Sequence, residues 1–543
     1  MHRLLLSLLL LGVECVLGLP VYDDNNNLNV SASCPDSTCS LSQLSSTFVQ
    51  PLRFTDNKAL QLEELLLSDC QLRALPVELL RQTPNLRVLM MLNSSVYHVN
   101  KDDFQPVKQL KQLQLQRNHI SQLKNQQFVL LEQLEVLQLG YNNILVVRGQ
   151  AFTGLTQLRL LGLQSNGITE LADDAFDPLP QLLHLDLSDN EITYIHPRIF
   201  EHNTKLQTLL LNGNHFVQFE SSTLLPLKTL RLLDLSNCQV EELQLESVQR
   251  VRIESSRLQR LIIYGGVINL QAGHNELTKL YIGDKSAVIE LDLQHNLLDG
   301  NATSTLLDGM WNLQRLDLSK NNIDSLSPAN NSLRLLLPSL TQLNLAYNQL
   351  EELSSMLPYR LTKLDISYNH LISVTAANFA TLPNLQQLNV QDVRLTDFDY
   401  KLFHQQHPKF QELGVCDSDY RFMHILATFF TDRGIHLPVP CNHHKPSSEQ
   451  ITREPQLQPA TEAQCGPIAG VSGIHPYWTT RDVLAFVTLV VVFVILLIQL
   501  YHILEEEGCV RRMRQRLRGR PQMVNGTHSN RRLNEEDSET SSA

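Results

Sequence analysis

Nine cysteines, nineteen histidines and 56 carboxylates are material enough for metal, nucleophilic or acid–base chemistry, so their spacing has to decide. There is no GxSxG turn to expose a nucleophilic serine and no HExxH to put two imidazoles and a carboxylate on one helix face. No paired CxxC stands ready to close around zinc, and His443 with His444 reads as two solvated side chains in a polar segment. A formal charge of -12 lacks the basic footprint that phosphate binding needs, which argues against nucleic acid. Neither a cofactor nor an enzymatic activity is expected.

The cysteines and asparagines carry a different chemistry, that of a secreted chain. Residues 1–18, MHRLLLSLLLLGVECVLG, combine a basic start, an apolar run and small residues before a polar sequence, which reads as a signal peptide. The oxidising compartment this implies makes Cys34 with Cys39, and Cys416 with Cys441, candidate disulfides at the two ends of the folded region. Cys465 is left over, and an odd cysteine points to a disulfide between two chains. Glycosylation sequons stand at Asn29, Asn93, Asn301 and Asn330.

The elements that position these residues are set by a period. Cys70, Ser94, Asn118, Asn142, Asn166, Asn190, Asn214 and Cys238 recur every 24 residues inside the frame LxxLxLxxNxL, as in LLHLDLSDNEI from Leu182. That period and frame define a leucine-rich repeat: an α/β solenoid, or horseshoe, of about 16 coils with a parallel concave β-sheet and disulfide caps. The frame's leucines point into the core, and the asparagine amide bonds backbone groups of neighbouring coils at the inward turn. Phe104, Phe128, Phe152, Phe176 and Phe200 run in phase as a second buried column, with Leu224 next. Cys70 and Cys238 take the asparagine position as buried free thiols.

After Cys238 the period breaks. Turn positions fall at Ser256, Asn275, Asn296, Asn321, Asn348 and Asn369, and coils of 18 or 19 residues leave little room for a convex helical turn, so that side is expected to be thin.

Composition divides the remainder. We expect an N-terminal cap over 19–60, repeats over 61–418, a C-terminal cap over 419–445 and a Pro- and Gln-rich stalk over 446–481. The apolar run within 482–503 is long enough for a transmembrane helix. Arg511, Arg512, Arg514, Arg516, Arg518 and Arg520 follow it, which implies a single-pass type I plasma-membrane protein with a cytoplasmic tail over 504–543. In that tail Cys509 is a palmitoylation candidate and Ser538, in EEDSE, a phosphorylation candidate.

Recognition falls to the concave face. Its candidate ligand residues are Arg252, Glu254, Gln271, His274, Asp292, Gln294, His295, Arg315 and Asp317, in the coils where the period has broken. Asp186, Asp234, Asp292, Asp317 and Asp365 share one column, which the generic LDLS wording of such repeats also explains.

The short coils VRIESSRLQRLIIYGGVINLQAGHNELTKL and IELDLQHNLLD, with the end segment HPKFQELGVCDSDYRFMHILATFFTDRGIHL, resemble the mosquito leucine-rich immune proteins, and the membrane span resembles that family's transmembrane branch. The resemblance implies a similar cap after the last repeat. There the family's cysteine follows a tryptophan, and this chain has Tyr420, Arg421 and Phe422 instead. It lacks the double cysteine and coiled coils of the secreted members, so their complement partnership does not carry over. The resulting expectation is a surface protein that binds an extracellular protein or glycan in innate-immune recognition, as a co-receptor and as a homo- or hetero-dimer. The alternative is a cell-adhesion or neuronal-wiring protein of the same architecture.

Overall fold

The computed structural model describes residues 27–28, 34, 37–44, 52–55, 57–326, 336–353, 357–393, 395, 398–416 and 420–437. All of them belong to one compact unit, Leu17–Lys445.

Each LxL of the frame forms a short strand, because alternate leucines can be buried only on an extended backbone. Thr38–Ser42 pairs in parallel with Glu64–Ser68, that strand with Val88–Leu92, and so on in chain order to Gln387–Gln391 and Glu412–Cys416. The sheet has seventeen strands among the described residues and is open, since each coil pairs with the next in one unbroken series. Its first strand comes from the N-terminal cap, where Cys34 and Cys39 form a disulfide.

The turn asparagines form the ladder that the frame requires. Asn118 Oδ1 accepts the backbone N–H groups of Ser94 and Val96, both at 3.0 Å, while its Nδ2 donates to the carbonyls of Met91 at 2.7 Å and Leu115 at 2.9 Å. Cys70 and Cys238 are buried and free. The Cys238 thiol donates to the Leu211 carbonyl, and burial pushes its pKa up to about 12, which keeps it unreactive. The phenylalanine column is fully buried, with Phe152, Phe176 and Phe200 stacked at 6.3 and 6.0 Å.

The short coils are not merely thin on the convex side. Glu242–Leu245, Arg260–Gly266 and Lys279–Asp284 form a second, three-stranded parallel sheet there, in the register Glu242, Arg260, Lys279. A strand advances further per residue than a helical turn, so it closes a coil of 18 or 19 residues that a helix cannot. Its alternation is strict: Leu243, Leu245, Leu261, Ile263 and Ile282 point inward and are buried, whereas Tyr264 and Tyr281 are exposed.

The C-terminal end is sealed by the helix Tyr420–Thr431, which buries Leu426 and Phe430. Beyond it the chain returns beside the last strand, where the Leu413 N–H donates to the His436 carbonyl at 2.9 Å. Cys416 is disulfide-bonded. Cys441, Asn29, Asn330, Cys465, Cys509 and Ser538 lie outside the described residues, as do the signal peptide, stalk and tail.

One expectation is corrected. Among the described residues no helix is long and apolar enough to cross a membrane, which removes the transmembrane helix from the fold and, with it, the single-pass plasma-membrane assignment. A span needs about 20 apolar residues, whereas Tyr420–Thr431 has 12 and spends its apolar face on the last coil. The run within 482–503 lies outside the described residues.

Candidate ligand-binding groove

Parallel pairing without slippage turns the sequence into columns. The first and third residues of each strand face the concave side, and from Gln271 to Gly414 they line a groove of about 510 Å³. The first-position column runs Asn269, Glu290, Arg315, Gln342, Lys363, Gln387, Glu412, and the third runs Gln271, Asp292, Asp317, Asn344, Asp365, Asn389, Gly414. No side chain in either column is apolar. The same columns in the regular coils carry Leu66, Val88, Met90, Val136, Leu160, Leu210 and Leu232.

The floor is internally braced. Asp317 Oδ1 accepts the Ser319 N–H at 2.9 Å and hydroxyl at 2.6 Å, and its Oδ2 accepts Asn344 Nδ2 at 2.8 Å. Asp365 repeats this with Ser367 at 3.0 and 2.6 Å and with Asn389 at 2.8 Å. Arg315 is paired with Glu290, and Gln387 Nε2 donates to Glu412 at 2.8 Å. Asp292 faces Asp317 directly in register, with no amide between them. Burial, then the charges of Asp317 and Glu254, push its carboxyl above the usual range.

The groove has a rim. The residue just before each turn position adopts a left-handed backbone, with φ of 55° at His274, His295, Lys320 and Tyr368 and 57° at Tyr347. That conformation aims their side chains outward in a row, one per coil. His274 and His295 stack at 4.7 Å, Lys320 Nζ lies 5.7 Å from the Tyr347 ring centre, and Tyr347 stacks on Tyr368 at 4.2 Å.

Of the residues singled out in the sequence, Gln271, Asp292, Arg315 and Asp317, with Asp365 of the aspartate column, line the groove together. His274 and His295 stand on its rim, and Gln294 braces Asp292 through its backbone N–H at 3.2 Å. Arg252 and Glu254 sit one coil before the groove, where Arg252 Nε donates to Gln271 at 3.0 Å. Lys363, Gln342, Gln387, Gln391 and Glu412 were missed, although the column that leads to them can be counted along the sequence. Asn93 and Asn301 are exposed sequons, with Asn93 Nδ2 donating to Asp69 at 2.7 Å. The described residues contain no cluster of three groups able to hold a metal ion.

Residues 61–120, 108–168 and 160–216 match the family model for leucine rich repeats, and 312–334 match a second model of the same repeat. Pig fibromodulin is 31% identical over 124 residues, which is 23% of this chain and 81% of that protein. The chain belongs to the leucine-rich repeat family. Human oligodendrocyte-myelin glycoprotein is 25% identical over 274 residues, 49% of this chain and 51% of that protein, so this leucine-rich repeat chain spans about half its length. It spans still less, 27%, of rat osteomodulin, at 34% identity over 115 residues and 20% of this chain.

Two solved structures share the fold. The Leptospira interrogans leucine-rich repeat protein LIC12759 aligns with a TM-score of 0.53 at 22% identity, over 70% of this chain and 89% of that one. The Toll–Spatzle complex of Drosophila aligns with a TM-score of 0.50 at 18% identity, over 70% of this chain and 55% of that one. The LRIM1/APL1C complex, at 0.49 and 17% identity over 72% of each chain, is too distant to tell one solenoid from another. The first two of these structures share with the chain the leucine-rich repeat solenoid fold.

Proposed function

We propose that the groove from Gln271 to Gly414 is the ligand-binding face of a protein that recognises an extracellular protein or glycan in innate immunity. The carrying observation is the change in the concave columns: the regular coils mix half-buried apolar side chains with polar ones such as Glu64, Gln112, His184 and Asp186, whereas no apolar side chain stands in these columns over the groove of about 510 Å³. A scaffold has no need of Arg315, Lys363, Gln342 or Gln387 at outward positions. The immune part of the reading rests on the resemblance of the short coils and end segment to the mosquito proteins. In the same reading Asn93 and Asn301 carry glycans, and the glycan on Asn93 screens the first coils and leaves the later ones open.

The test is affinity capture with the full chain from haemolymph-like extracellular fluid, run beside the variant Arg315→Glu, Lys363→Glu. A partner held by the native chain and lost by the variant is the expected result. Equal capture by both contradicts the reading.

A further inference from the structure

Within the groove one unit occurs twice. Arg315 and Asp317 on one strand, with Gln342 and Asn344 on the next, are followed by Lys363 and Asp365, with Gln387 and Asn389. The order is cation, carboxylate, amide, amide in both, and both are braced by the same hydrogen bonds at matching lengths. The leucines, and the aspartates that bond Ser319 and Ser367, serve the coil itself. The cations and glutamines at first positions face the groove, although Arg315 also pairs with Glu290 and Gln387 with Glu412 on neighbouring strands.

A repeated set of outward groups fits a ligand with its own translational repeat. Two coils advance roughly 9.6 Å along a sheet with strands about 4.8 Å apart. An extended peptide shows the same face every second residue, roughly 6.8 Å, which falls out of step with the units. A β-1,4-linked hexose chain turns alternate sugars over and so presents the same edge once per disaccharide, a distance close to that of two coils. The lining carboxylates Glu290, Asp292, Asp317, Asp365 and Glu412 outnumber Arg315 and Lys363, so a polyanionic glycan is repelled. Planar amides and carboxylates are suited to paired hydrogen bonds with neighbouring hydroxyls.

We propose that this part of the groove binds an uncharged β-1,4-linked hexose chain, one disaccharide to each unit. The proposal rests on the groove being the ligand face and names the class of ligand.

Isothermal titration of the full chain with cello- and chito-oligosaccharides of two, four and six sugars tests it. Affinity should rise about tenfold or more from two sugars to four, because the second unit then binds intramolecularly, and little from four to six. Gln342→Ala and Gln387→Ala, both at solvent-facing positions, should each reduce tetrasaccharide affinity about fivefold or more and leave circular dichroism unchanged, and together should abolish binding. Absence of binding by any oligosaccharide overturns the proposal, as does binding that ignores length or these substitutions. A heparin-type polyanion or a lysine-rich peptide that binds in place of the sugars also overturns it. If the sugars fail while Arg315→Glu, Lys363→Glu still releases a captured protein, the glycan assignment falls and the groove stands. If that variant changes nothing either, both fall.

Discussion

The coils from Cys70 to Cys238 and those from Val240 to Gly414 share one frame and one sheet, and they differ wherever the frame leaves a choice. The first set keeps a 24-residue period, a stacked phenylalanine column and a concave face with leucine, valine and methionine half-buried in it. The second opens with short coils whose convex turns are replaced by three strands, returns to helical turns at Gly300–Leu307, Ala376–Phe379 and Tyr400–Gln406, and lines the concave face with charges and amides. Regularity here is what close packing demands. Departures from it are where outward residues are free to serve something other than the coil.

The comparison breaks most visibly in the core. Phe152→Ala removes a fully buried ring stacked on its neighbour and should cost about 3–5 kcal/mol, read by urea unfolding. A loss below about 1 kcal/mol means that the regular coils are not held by their spine.

The turn ladder gives a finer contrast. Asn190 Oδ1 accepts the Ile168 N–H and its Nδ2 donates to two buried carbonyls, so Asn190→Ala should cost about 2–4 kcal/mol. Ser256, the short-coil counterpart, accepts only the Cys238 N–H and donates to the Leu235 carbonyl. Ser256→Ala should therefore cost about 1–2 kcal/mol, and equal costs would erase the distinction.

The smallest effect is electrostatic and confined to the second region. Because burial, Asp317 and Glu254 raise the Asp292 pKa, its ionised form is disfavoured in the folded state. That penalty is absent below the ordinary value of 3.8 and grows as pH rises through the folded value. Asp292→Asn should raise the melting temperature at pH 7 by an amount worth less than about 1 kcal/mol and leave it unchanged near pH 3.8. Stabilisation that persists at the acid end would assign the effect to packing instead.

Much of this was legible in the sequence, for a physical reason. A repeated coil must repeat its core, so the turn positions, the phenylalanine column and the buried thiols of Cys70 and Cys238 could be counted off. The convex strands were read only as a lack of room, although Leu243 with Leu245, Leu261 with Ile263 and Leu280 with Ile282 already alternated with period two. The site was half legible: Gln271, Asp292, Arg315, Asp317 and, through the aspartate column, Asp365 were named, while Lys363 and Gln387 at first positions of the same strands were not. Of the stacked rim His274 and His295 were named, but its continuation through Lys320, Tyr347 and Tyr368 was not, since the left-handed backbone that aligns the row follows from the turn and not from the residue types that occupy it. The membrane helix is the expectation that fell.

The central claim is that binding belongs to the second region. It is tested most directly by surface plasmon resonance of one captured partner against two variants of equal charge change, Arg315→Gln with Lys363→Gln, and Gln112→Glu with Gln138→Glu on the regular concave face. The account predicts that the first variant weakens binding by about a hundredfold or more and that the second stays within about threefold of the native chain. A partner lost with the second variant and retained by the first would contradict it.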